Sequence, residues 1–177
     1  KLNYSETSTL SSKFNQNGFE IKPYGEKTDI FVLNTCSVTD NADKECRQII
    51  RSVLNKNPET YIIVTGCYAQ LQPHEIAEIH GVDLVLGANE KFRLFEFVNN
   101  FEKNDLSCVF TSPIDEATEF EYAYSSDSDS RTRAFLKIQD GCDYNCSFCT
   151  IPLARGTSRS QKISEVIENA KKLIDNG

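Results

Sequence analysis

Seven cysteines stand in the 177-residue sequence, and their spacing is the first feature with chemical content. Three of them sit close together, as Cys142-Asp-Tyr-Asn-Cys146-Ser-Phe-Cys149. Zinc usually takes paired C-x2-C knuckles and four ligands, which this C-x3-C-x2-C spacing does not supply. Ferredoxin spacing differs as well and draws on a fourth cysteine. Three thiolates in one short loop suit a [4Fe–4S] cluster whose fourth iron has no protein ligand and is open to a further group. A cysteine-rich loop without a cluster is the plainer alternative. Cys36 and Cys67 close two short apolar runs, Asp29-Ile-Phe-Val-Leu-Asn-Thr-Cys36 and Tyr61-Ile-Ile-Val-Thr-Gly-Cys67. If both runs are strands of an open parallel sheet, their carboxyl ends share the edge where ligands bind. Buried core cysteines are the competing reading, since this residue is among the most often buried. Cys46 and Cys108 have no such placement and read as packing residues.

An odd number of cysteines, unevenly spread, is not a disulfide framework. No basic-then-apolar segment opens the chain, so a secretory signal is not visible, and the reducing cytoplasm is the expected compartment. No run of eighteen or more apolar residues is present, which excludes a membrane-spanning helix.

The elements that must position these cysteines follow from periodicity. Residues 5–17, 40–56, 73–80 and 91–101 carry helical spacing, with Thr39 as N-cap of the second. Residues 29–36, 61–67 and 83–87 are short runs of the kind that form strands buried on both faces, and 108–111 reads as a last strand. Alternating strands and helices predict an α/β fold, an open and mostly parallel sheet with helices on both faces, flavodoxin-like in class. No glycine-rich phosphate loop follows any strand, which counts against a free-standing flavin-binding module. Residues 134–139 read as a further strand leading into the three-cysteine loop, and 162–176 as a helix.

Charge divides the chain. It carries 26 acidic and 19 basic residues, a net −7, which argues against nucleic-acid binding by the bulk of the surface. Asp115, Glu116, Glu119, Glu121, Asp127 and Asp129 fall between residues 113 and 130, where Lys and Arg are absent. This stretch reads as a mobile linker or an ordinary solvated loop. The predicted division is therefore 1–112, an acidic connector 113–130, and a more basic piece 131–177.

Cys142-x3-Cys146-x-Phe148-Cys149 after a strand resembles the cluster motif of the radical S-adenosylmethionine superfamily. The wider string from Ile138 to Pro152, with Ala154-Arg-Gly156 and Ser158-Arg-Ser160, is similar to its methylthiotransferase branch. So are Asn34-Thr-Cys-Ser-Val-Thr39 and Val64-Thr-Gly-Cys-Tyr-Ala-Gln70. The resemblance implies a [4Fe–4S] cluster on Cys142, Cys146 and Cys149, with Phe148 near the adenine of S-adenosylmethionine. It implies a second [4Fe–4S] cluster on three cysteines, two of them Cys36 and Cys67, with the third expected just before Lys1. It also implies a partial (β/α) barrel beginning at 131–177, so that the chain reads as an N-terminal fragment, inactive alone.

The radical so generated would abstract hydrogen from adenine C2, and the second cluster would present the sulfur. The opening Lys1-Leu-Asn-Tyr-Ser-Glu6 and the Gln139-Asp-Gly-Cys142 context look most like the branch acting on threonylcarbamoyladenosine in tRNA. The sister branches act on isopentenyladenosine in tRNA and on a ribosomal protein. The implied partners are tRNA, bound mainly through regions outside this chain, and an electron donor such as flavodoxin or ferredoxin. Arg155 and Arg159 suit a phosphate or the cofactor's carboxylate, and suit ion pairs within the fold equally. A non-catalytic iron–sulfur electron carrier is the alternative of a different class.

Overall fold

The computed structural model describes residues 2–35, 40–98, 100–116, 120, 122–124 and 134–175. Cys36, Thr39 and residues 125–130 of the acidic connector lie outside them. The described elements begin α1 (Leu2–Gln16), β1 (Ile30–Thr35), α2 (Asp40–Lys56), β2 (Tyr61–Gly66), α3 (Cys67–Leu71) and α4 (Pro73–Ala77). They continue with β3 (Leu84–Leu86), α5 (Leu94–Phe97), β4 (Cys108–Phe110), β5 (Gln139–Asp140), α6 (Ile151–Arg155), β6 (Arg159–Ser160) and α7 (Ile163–Asp175).

Four strands form one parallel sheet in the order β1-β2-β3-β4. That sequential order contains no reversal of the kind a flavodoxin-like sheet has at its switch point. Side chains alternate between the two faces. Ile62, Val64 and Val85 pack on one face with Cys46 and Ile50 of α2, Tyr68 and Ala69 of α3, and Ile76 of α4. Tyr61, Ile63, Leu84 and Leu86 pack on the other face with Phe14 of α1 and Leu94 of α5. β2 and β3 are buried throughout because both faces and both edges are covered. β1, predicted to be buried on both faces, is half-buried along its whole length, since among the described residues it stands at an edge with one neighbour. Cys46 is buried as expected, whereas Cys108 opens the other edge strand and is exposed.

Helix α1 buries a stripe four residues apart: Glu6, Leu10 and Phe14. The buried residues of its C-terminal half, Leu10 and Phe14, are apolar, but Ser5, Glu6, Ser8 and Thr9 are buried too, so its N-terminal half packs through polar contacts. The expected helix at 91–101 is shorter and mixed, a 3-10 turn over Lys91–Arg93 followed by α5, and Val98 is extended.

In the acidic connector, Ile114–Glu116 forms a 3-10 turn, and Ala123 is fully buried against Leu10 and Phe92. The strand expected at 134–139 is reduced to one antiparallel bridge, Tyr124 to Leu136, and to β5, which pairs antiparallel with β6. Its residues serve different environments: Lys137 is buried and Ile138 exposed, so no apolar layer extends the pairing. Ile163, Ile167 and Ile174 of α7 are exposed. No helix among the described residues is long and apolar enough to cross a membrane.

Candidate functional site

Thr35, the last residue of β1, is the register partner of Gly66, the last residue of β2. The residues that follow these two are Cys36, outside the described set, and Cys67, which is buried. The chain turns from β2 straight into α3 at Gly66, whose φ of 102° L-residues rarely adopt. A Cβ there would lie 2.0 Å from the Thr35 carbonyl oxygen and 2.8 Å from Asn34 Oδ1. The glycine lets β1 and β2 stay paired to their ends while Cys67 begins a helix at the sheet edge.

Polar side chains collect at this edge. Asn3 Nδ2 donates to the Asn34 carbonyl at 2.9 Å, and Asn34 Nδ2 donates to Thr7 Oγ1 at 3.2 Å. Asn34 and Thr65 are cross-strand neighbours on the α1 face. Asn3 Oδ1, Asn34 Oδ1 and Thr65 Oγ1 are buried without a hydrogen-bond partner, an unusual concentration where β1 and β2 end.

The three-cysteine loop joins β5 to α6. Cys146 is exposed, while Cys142 and Cys149 are half-buried. The Cys149 N–H donates to the Cys146 carbonyl at 3.0 Å, closing a tight turn. The loop's start is pinned from the opposite side, where the Cys142 N–H donates to the Gly156 carbonyl at 3.0 Å. Asp143 Oδ1 accepts the Ser158 N–H at 2.8 Å, and Gln139 Nε2 donates to Ser158 Oγ at 2.7 Å. Phe148 stands at the tip, 89% exposed, with Tyr144 also exposed.

Beneath both cysteine sites lies a buried ion cluster centred on Glu6, which is fully buried. Arg155 holds it in a fork, Nη1 to Oε1 at 2.9 Å and Nη2 to Oε2 at 3.2 Å. Lys91 Nζ reaches Oε1 at 2.9 Å, and Lys137 Nζ reaches it at 3.4 Å. A second carboxylate, Asp140, takes Lys137 at 2.6 Å and Arg155 at 2.9 Å, with Arg159 at 3.9 Å. Lys91 and Lys137 both lie over the ring of Phe92, and Lys137 over that of Phe120.

Burial pushes the Glu6 carboxyl upward, but Lys91, Arg155 and Lys137 outweigh it and hold the group down at about 2. Asp140 lies well below the ordinary carboxylate value: Lys137 and Arg155 overcome its burial. Burial draws the Lys91 ammonium below the usual lysine value. The Arg155 guanidinium, although burial opposes its charge, is held charged by Glu6, Cys67 and Asp140.

Cys142, Cys146 and Cys149 are thus brought into one loop, and Cys67 is brought to the sheet edge. Among the described residues no group of three or more His, Cys, Asp or Glu is gathered closely enough to hold a metal ion. The donor type still fits an iron–sulfur cluster, because the loop offers three free cysteines, the soft sulfur ligands such clusters take. On the α1 face, the ends of β1 and β2 also carry buried oxygens without a hydrogen-bond partner, on Asn34 and Thr65.

Arg155, ambiguous in the sequence, is committed to the Glu6 and Asp140 carboxylates, whereas Arg159 donates to the Thr157 carbonyl at 3.2 Å and stands 3.9 Å from Asp140. Glu6, Lys91 and Lys137 were not singled out by sequence reasoning. For Glu6 the signal existed: it occupies the same helical stripe as Leu10 and Phe14, where a carboxylate is buried only if paired.

The family model described as uncharacterized protein family UPF0004 matches residues 1–87. A threonylcarbamoyladenosine tRNA methylthiotransferase of Bacillus subtilis is 40% identical over 177 residues, all of this chain and 39% of the relative. One of Aquifex aeolicus is 34% identical over 177 residues, all of this chain and 43% of the relative. A ribosomal protein uS12 methylthiotransferase of Caldicellulosiruptor saccharolyticus is 34% identical over 167 residues, 90% of this chain and 37% of the relative. The chain therefore spans about two fifths of the length of these relatives. Residues 1–87 thus carry a UPF0004 domain, and the whole chain is similar to the opening two fifths of methylthiotransferases, including two named for the same tRNA target.

Proposed function

We propose that the full-length protein transfers a methylthio group to adenine C2 of threonylcarbamoyladenosine in tRNA by radical S-adenosylmethionine chemistry. The observation that carries this reading is the alignment of the whole chain with two relatives named for that target, at 40% and 34% identity. In this reading Cys142, Cys146 and Cys149 hold one [4Fe–4S] cluster, and Cys36 and Cys67 supply two ligands of another. At Cys142, Cys146 and Cys149 the chemistry supplied would be reductive cleavage of S-adenosylmethionine, a radical route to an unactivated C–H bond that acid–base groups cannot break.

The chain's own residues prepare these sites. Phe148 presents an open ring at the loop tip, suited to stack on an adenine. The Cys142 N–H bond to Gly156 and the Asp143 bond to Ser158 fix the entry of the loop before anything binds. Burial at Cys67 keeps water from the sulfur-carrying edge. The division into 1–112, 113–130 and 131–177 assigns one cysteine site to each outer part. A flavodoxin or ferredoxin is the electron donor this chemistry requires, and a tRNA substrate sets the reaction in the cytoplasm.

A ribosomal-protein target is the second reading, favoured by the 34% identity to a uS12 methylthiotransferase. Nucleoside mass spectrometry of tRNA from cells lacking the gene separates the two. The expected result is loss of the 2-methylthio group from threonylcarbamoyladenosine. Loss from isopentenyladenosine would move the target to the sister tRNA branch. Unchanged tRNA would point to the ribosomal protein or to an electron carrier, and binding of S-adenosylmethionine would then exclude the carrier.

A further inference from the structure

A buried carboxylate ringed by cations is a costly way to fill space, and well-packed apolar residues of similar volume often serve stability as well. What such a cluster can add is a fixed geometry among the segments that contribute to it. Here the contributors are far apart in sequence. Glu6 comes from α1, and Lys91 from the turn after β3. Lys137 and Asp140 come from the run that enters the three-cysteine loop, and Arg155 from the end of the helix that leaves it.

Arg155 is the joint between the parts. Its Nη1 stands 2.9 Å from both Glu6 Oε1 and Asp140 Oδ1, so one guanidinium bridges α1 and the entry to the loop. The next carbonyl, that of Gly156, accepts the Cys142 N–H. Helix α6, which ends in Arg155, packs against α3, which begins with Cys67. Gly141 tightens the same corner: its φ is 73°, and a Cβ there would lie 2.0 Å from the Thr157 carbonyl oxygen.

We propose that Glu6 is a positioning residue: by clamping Arg155 it docks the three-cysteine loop against the sheet edge that carries Cys67, and so sets the separation of the two cysteine sites. The use of this docking rests on the methylthiotransferase reading, in which a group must pass between chemistry at one site and chemistry at the other. The docking itself is a property of the chain and is measurable without cofactor or tRNA.

The test uses the metal-free, reduced full-length protein. Iodoacetamide labelling of Cys67 is followed by peptide mass spectrometry in Glu6→Gln, Arg155→Lys and a control, Leu10→Ala. The lysine keeps the charge but cannot reach both carboxylates as a fork. Leu10 lies one turn along the same helix, buried in the apolar cluster with Phe92 and Ala123, and contributes no ion pair. Labelling of Cys67 should be faster by about tenfold in both charge variants, as expected when a packed segment opens locally. It should stay near the wild-type rate in Leu10→Ala under the same native conditions. Wild-type labelling rates in the charge variants, or an equal rise in Leu10→Ala, would overturn the proposal. If Glu6→Gln does not fold, Arg155→Lys decides alone. A failure here leaves the tRNA assay untouched, and a failure of that assay leaves the docking result standing.

Discussion

Glu6 concentrates the physics of this molecule at one residue. Its carboxyl has an ordinary value of 4.5 and is held at about 2 in the fold. The direction fixes the sign: the stabilisation is complete above 4.5 and is lost as pH falls toward 2. The size of that shift corresponds to about 3 kcal/mol. We expect urea midpoints of the wild type to fall between pH 5 and pH 2.5, and the fall to be shallower in Glu6→Gln. At pH 7 the same variant should lose about 3–5 kcal/mol, because it leaves buried cations without their partner. A midpoint at pH 7 within error of wild type would show that the cations find other partners. For the thiols, replacing Cys142, Cys146 and Cys149 together by Ala in the reconstituted full-length protein should remove the iron of one cluster and leave that of the other. Unchanged iron content in the triple variant would mean that the loop is not a ligand set.

At the scale of elements, the turn from β2 into α3 places Cys67. Gly66→Ala forces a Cβ to within 2.0 Å of the Thr35 carbonyl oxygen and requires a left-handed backbone from alanine. The expected loss is about 3 kcal/mol or more, read by denaturation, with faster amide exchange concentrated at the ends of β1 and β2. Exchange unchanged at those ends would mean the strands part elsewhere to admit the methyl group. The paired strands contrast with the loop after β5, which relies on a few backbone bonds and the ion cluster. The sheet is therefore a rigid platform, and the three-cysteine loop is a segment held by its neighbours.

For the whole molecule, net charge decides what the chain can do alone. A chain at −7 repels a polyanion, and two cations of its basic segment, Lys137 and Arg155, are buried in ion pairs rather than offered to solvent. This chain by itself should bind tRNA weakly, and affinity measured across a salt series should show little dependence on ionic strength. Tight binding with a steep slope would reveal a phosphate-contacting surface that the charge distribution does not suggest. Under the proposed function, and with the chain spanning about two fifths of its relatives' length, tRNA affinity would come from other regions of the full-length protein.

Periodicity alone determined the parallel α/β core, because apolar runs of strand length between amphipathic helices admit few other packings. Cysteine spacing alone marked the loop at 142–149, since three thiols within eight residues are a local pattern that no distant contact can disguise. Edge position was not legible: the runs at 30–35 and 61–66 are equally apolar, and only the strand order separates a half-buried β1 from a fully buried β2. Nor were the partners of Arg155 legible, because Glu6 lies 149 residues away and a single carboxylate gives no sign of which cation will reach it. Local chemistry is written in the order of residues. The ion cluster that joins the two cysteine sites exists only once long-range packing has excluded water from it, and that exclusion is a tertiary event.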